Sequence, residues 1–155
     1  MYERSYGHQY HEVPQYASAA EIAKAMRADI KQAKSEGLLP AHWKYSVRSE
    51  NYSGGCAINI TVSGPREEIM VEEDASKCPR FGAAGVIACE GRGRHYSRNC
   101  AGAQRLTSEA EAVEMTLTRI HGAYNHDGSE SQVDYFDVRY YGTVEFAYEL
   151  WSVAR

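Results

Sequence analysis

The sequence predicts an α+β fold: a three- or four-stranded antiparallel sheet with two long helices packed on one face. Three features carry that expectation. Two segments repeat apolar residues at helical spacing behind capping-box signals, two alternating runs flank the turn-forming stretch Asn51–Gly55, and a further alternating run lies near the C-terminus. A chain of 155 residues suits one domain with a single core, burying about 70% of the surface its unfolded form exposes. The expected organisation is a Tyr- and His-rich arm over residues 1–16. A single domain over 17–155 follows, with a long Arg-, Gly- and Cys-containing loop at about 75–106.

The arm sets Tyr2, Tyr6, Tyr10 and Tyr16 around His8 and His11. It reads as an extended segment whose tyrosines pack back on the domain or on a second copy. A first helix is expected over about 19–36. Ser18 and Glu21 form a capping box, in which each side chain satisfies the other's backbone N–H. Ile22, Met26, Ile30 and Ala33 make one apolar stripe, Gly37 supplies the left-handed exit, and Pro40 prevents the helix from resuming.

Trp43, Tyr45 and Val47 then alternate with Lys44, Ser46 and Arg48, and Cys56, Ile58, Ile60 and Val62 alternate with Ala57, Asn59 and Thr61. With the Gly-rich turn between them, the two runs read as an antiparallel hairpin. Pro65 suits the first turn of a helix over about 66–74, with Ile69 and Val71 facing inward. Residues 75–106 read as a long loop, with a short strand at about 86–89.

Ser108 and Glu111 signal a second long helix over about 109–124, with Val113, Leu117, Ile120 and Tyr124 on its buried stripe. Phe136, Val138, Tyr140, Val144, Phe146, Tyr148 and Leu150 then keep period two. Gly142 interrupts them, and one long strand bent at that glycine is preferred over two strands joined by a tight turn.

The net charge of −4 disfavours a non-specific nucleic-acid coat, which needs a basic field. The average hides an asymmetry: residues 76–106 hold six basic side chains, Arg92, Arg94 and Arg98 among them, against the single acid Glu90. Such a patch meets phosphate or an acidic partner. Twelve tyrosines against three phenylalanines and two tryptophans raise the expectation of a binding surface, because Tyr serves wet interfaces as well as cores. No apolar run resembles a signal peptide or approaches a membrane span, so a cytoplasmic protein with no membrane partner is expected.

Four cysteines occur without a C-x-x-C pair, and free thiols are the expected state. Cys78, Cys89, His95 and Cys100 are weak zinc candidates, being irregularly spaced for a Cys3His site. The segment holding Asn125, Asp127, Ser129, Glu130 and Asp134 resembles a calcium loop only in composition. Its glycine comes too early and its closing Glu is missing. Turn geometry built on Asn and Asp side chains is the better reading, with Asp134 or Asp137 pairing with Arg48 or Arg139 across the sheet. For acid–base chemistry the nearest candidates are Asp127 and Asp134 beside His121 or His126. No phosphate-binding loop, nucleophile elbow, metalloprotease helix or dinucleotide fingerprint is present. No catalytic residues and no cofactor are therefore assigned.

Three blocks together resemble a known family. WKYSVRSENYSGG, INITVSGP and YNHDGSESQVDYFDVRYYGTV are similar to the large polyvalent protein-associated domain type 29 of bacteriophages and conjugative plasmids. The likeness spans about 18–144, with Glu130 where the family favours Asp and with the Cys- and Arg-rich loop unmatched. The resemblance implies an accessory protein that a mobile element deploys inside a new host, including against its defences. It carries no catalytic residues. The expected function is a non-catalytic binder of a host protein, acting in the bacterial cytoplasm. The open sheet face would present Tyr135, Asp137, Arg139 and Tyr141. The alternatives are a single-stranded nucleic-acid-binding domain, with tyrosines stacking on bases and Arg92, Arg94 and Arg98 on phosphates, and a metal-dependent enzyme. A homodimer through that face or through an exposed strand is also compatible with the sequence.

Overall fold

A computed structural model describes residues 5–77, 101–129 and 138–151. The fold is α+β. In chain order its elements are β1 (Ser5–Tyr6), α1 (Ala19–Ser35), β2 (Lys44–Tyr52), β3 (Gly55–Ser63), α2 (Arg66–Ile69), β4 (Met70–Val71), β5 (Arg105–Leu106), α3 (Ser108–Gly122), β6 (His126–Asp127), β7 (Val144–Phe146) and α4 (Tyr148–Trp151), with short 3-10 turns at Tyr10–Glu12 and Ala75–Lys77. They group into two compact units. The first holds residues 1–63 and 112–147, and the second holds 64–111 and 148–155.

In the first unit α1 begins as its capping box dictates. The Ser18 hydroxyl accepts from the Glu21 N–H at 3.2 Å, and the Glu21 carboxylate accepts from the Ser18 N–H at 3.1 Å. The stripe Ile22, Met26, Ile30 and Ala33 is buried, and α1 lies against β2 and β3. These two strands form the expected hairpin, registering Tyr45 with Val62, Val47 with Ile60 and Ser49 with Ile58. Ile58, Ile60 and Val62 are wholly buried, as are Val113 and Leu117 of α3.

The third strand departs from expectation. Beside the antiparallel hairpin, β7 runs parallel to β3, pairing Ile60 with Val144 and Val62 with Phe146, so the sheet is mixed, in the order β2-β3-β7. The isolated bridge between Ala57 and Tyr141 keeps the same register, continuous across Gly142. Gly142 has φ +135, and a Cβ there would sit 1.8 Å from the Ile58 carbonyl oxygen. Only glycine lets the backbone approach the central strand so closely. The expected run of strand through Leu150 also stops early. The Ala147 N–H donates to the Val62 carbonyl at 2.7 Å, and β3 ends one residue later. With no partner left to extend along, the chain turns into α4, exposing Tyr148 and burying Leu150.

The arm is tied down. β1 pairs antiparallel with β6, and the N–H groups of Gly7 and Gln9 donate to the carbonyls of Asn125 and Ala123, each at 2.8 Å. Tyr10 is buried there, in edge-on contact with His11 and His126.

In the second unit the helix expected over 66–74 is a single turn, α2, which gives way to β4 paired with β5. Ile69 and Met70 are buried at that junction. The cap of α3 lies one residue earlier than the Ser108 signal. Thr107 Oγ1 accepts from the Ala110 N–H at 3.2 Å and donates to the Glu68 carbonyl at 2.6 Å. Thr107 thus secures the helix start and the α2 exit together. The strand expected at about 86–89 lies outside the described residues.

Candidate binding surface

A pleated strand sends alternate side chains to opposite faces, and here the two faces differ in burial. One carries Val47, Ile58, Ile60, Val62 and Phe146, all buried. By register, the other carries Arg48, Glu50 and Tyr52 from β2, Asn59 and Thr61 from β3, and Tyr141, Thr143 and Glu145 alongside β7. All of these but Asn59 are exposed. A shallow depression of about 610 Å³ is lined by Arg48, Glu50, Asn59, Thr61, Thr143 and Glu145 of this face, together with Ser49. The Asn59 side-chain oxygen accepts from the Thr143 N–H at 3.0 Å, fixing the rim of the face to the central strand.

Tyrosines stand at the turn end. Tyr52 closes the hairpin opposite Gly55, and Tyr141 bridges Ala57. They are 45% and 42% exposed, leaving ring area for a partner. Partial desolvation, then Tyr141, Cys56 and Glu50 nearby, hold the Tyr52 phenol above its ordinary pKa. With Arg48 against Glu50 and Glu145, the face has both signs of charge.

Of the residues expected at the site, Tyr141 lies on this face and Arg139 does not. The Arg139 guanidinium is consumed inside the protein. Nη1 donates to the carbonyls of Tyr10 at 3.1 Å and Tyr124 at 2.9 Å, Nη2 donates to Pro14 at 2.6 Å, and the group stacks 4.3 Å over the Tyr10 ring. Asn125 is likewise structural. Its side-chain oxygen accepts from the N–H groups of His126, Arg139 and Tyr140, and its amide nitrogen donates to the Tyr140 carbonyl at 2.8 Å. The Asp127 carboxylate accepts from the Ser129 N–H at 2.9 Å, a local turn contact. Tyr135, Asp137, Glu130, Asp134, Arg92, Arg94, Arg98, Cys78, Cys89, His95 and Cys100 lie outside the described residues. Tyr52, Glu50 and Glu145 were not singled out from sequence, although the alternation that marks Arg48 and Thr61 as outward-facing includes Glu50 and Tyr52.

Displaced titrations mark packing. Burial raises the Tyr140 phenol, which donates to the His121 carbonyl, and burial raises the Tyr124 phenol, which donates to Asp29. His121 is lowered by burial despite its bond to the Ile58 carbonyl. Among the described residues no three His, Cys, Asp or Glu side chains stand together as metal ligands, and no helix is long and apolar enough to cross a membrane. A second depression, about 460 Å³, runs between α1 and α3 with Leu38 and Met115 at its lip. Compared with known families, curated proteins and solved structures, the chain matches none of them.

Proposed function

We propose that this chain is a non-catalytic accessory protein of a phage or other mobile element that binds a host protein through the open sheet face, as an inhibitor or counter-defence factor in the bacterial cytoplasm. The observation that carries the reading is the contrast between the faces: one buries Val47, Ile58, Ile60, Val62 and Phe146, the other is open and ends in Tyr52 and Tyr141. Exposed tyrosines are rigid amphipathic anchors suited to a protein interface. The net charge of −4 favours a target with a basic groove. The similarity of the hairpin and C-terminal blocks to the type 29 accessory domain supplies the biological setting.

The test is co-purification from host lysate with wild type and with the double variant Tyr52→Ala, Tyr141→Ala. A specific partner retained by wild type and lost by a folded double variant is expected. Identical recovery by both proteins overturns the reading.

A second reading, single-stranded nucleic-acid binding, draws on the same two rings as stacking platforms with Arg48 on phosphate. Glu50 and Glu145 on that face oppose it. It requires filter binding to single-stranded DNA or RNA that weakens steeply with salt; binding that is absent or flat across salt removes it.

A further inference from the structure

The outer edge of β2 is one of the two unpartnered sides of the three-stranded sheet among the described residues, and the longer of them. Which backbone groups it presents follows from the ladder. Ile58 and Ile60 donate their N–H groups toward β7, to the carbonyls of Tyr141 and Thr143. The intervening Ala57, Asn59 and Thr61 therefore turn theirs toward Glu50, Arg48 and Ser46 of β2. That leaves the N–H and C=O groups of Tyr45, Val47, Ser49 and Asn51 pointing outward. Arg27 of α1 covers part of this row, donating to the Val47 carbonyl at 2.6 Å. Beyond Val47, β2 has no buried residue, so helix cover ends there and Ser49 and Asn51 are bare.

Edge strands are often protected by charged side chains, lysine above all. Beyond Lys44 this strand carries both signs of charge. Arg48 and Glu50 are two residues apart on the open face, with Ser49 between them. A two-fold axis through Ser49 sets Arg48 of each copy opposite Glu50 of the other. It also makes Ser49 face its own counterpart as a hydrogen-bonded pair, with Val47 facing Asn51. The Val47 carbonyl has a second lone pair, so Arg27 need not leave for the Asn51 N–H to donate to it. The strand is self-complementary in both backbone and charge, as an isologous contact requires.

We infer that the partner of this edge is a second copy of the chain, joined antiparallel through β2 about Ser49 into one continuous sheet. The two open faces then lie on the same side, placing both Tyr52–Tyr141 ends on one composite surface. This holds whether or not that surface binds a host protein.

The experiment is sedimentation equilibrium of the full chain over a concentration series, with folding of each variant checked by circular dichroism. Wild type should reach twice the chain mass. Arg48→Glu alone and Glu50→Arg alone each replace two opposite-charge pairs with two like-charge pairs, and should weaken the dimer by about tenfold or more. The double exchange, Arg48→Glu with Glu50→Arg, should restore it, and mixing the two single variants should give a heterodimer. Ser49→Pro removes only an outward N–H, which an edge strand tolerates, and should also yield monomer. A wild type that stays monomeric, single reversals that dimerise as well as wild type, or a double exchange that restores nothing overturns the inference.

Discussion

The Arg139 guanidinium lies 4.3 Å over the Tyr10 ring while donating to the Tyr10 carbonyl at 3.1 Å, so one side chain grips both the ring and the backbone of the same residue. Its two terminal nitrogens also reach the carbonyls of Tyr124 and Pro14, while Nε is buried without a partner. Arg139→Ala should cost about 2–4 kcal/mol, since charge-assisted bonds and a stacked cation are lost together. Arg139→Lys should recover little of it, because an ammonium cannot reproduce the planar fork. The urea midpoints of the two variants check this; a lysine variant equal to wild type contradicts it.

Asn125 satisfies neighbouring main-chain groups with both ends of its amide. Asn125→Asp keeps the acceptor but turns a carboxylate oxygen toward the Tyr140 carbonyl. A loss of about 1–3 kcal/mol is expected for Asp as for Ala, read from the same denaturant midpoints. If Asn125 were a metal ligand instead, Asp would be neutral or stabilising when calcium is added, and thermal shift with and without calcium separates the two.

Gly142→Ala should be strongly damaging, because Gly142 is the only described glycine that combines a positive φ with a backbone clash. It meets an unfavourable φ of +135 and a carbonyl 1.8 Å from the new Cβ at once, and both contacts are backbone. A loss of about 3 kcal/mol or more is expected, visible as thermal unfolding far below wild type.

His121 links α3 to the central strand. Its Nε2 lies 2.7 Å from the Ile58 carbonyl, which can only accept, so Nε2 carries the proton. Burial lowers its pKa below the ordinary 6.5. The unfolded chain therefore takes up the second proton first, and stability is full above about 6.5. It falls as pH drops through that value and levels off once the folded form is protonated. His121→Gln, a neutral donor of similar reach, should remove this component; urea midpoints at neutral pH and at about pH 5 reveal it. The acid loss arising from Glu72, whose pKa Arg66 lowers by hydrogen bonding, comes at a lower pH and stays in the variant.

Local patterns were legible wherever one partner lies close in sequence. The Ser18–Glu21 box, the α1 stripe and the hairpin around Asn51–Gly55 each depend on residues near one another, and the structure has them. Alternation after Asn125 was visible, but strand direction was not. The parallel seat of Val144 beside Ile60 joins strands distant in sequence, which no periodicity encodes. The same holds for Leu150, whose burial serves a turn of helix as readily as a strand. At the candidate surface Tyr141 was found from its parity. Arg139 misled for a physical reason: an arginine beside aromatics reads alike as an exposed contact or as an internal clamp, and only Tyr10, far away in sequence, decides between them.

The seat of β7 also bears on how the molecule assembles. Thr143 reaches Asn59 across a sequence separation of 84 residues, so the middle strand gains its second neighbour only after nearly all intervening chain has been made. During synthesis the inner flank of β3 waits for its partner, and closure of the layer becomes a late, distant event of the kind that slows folding.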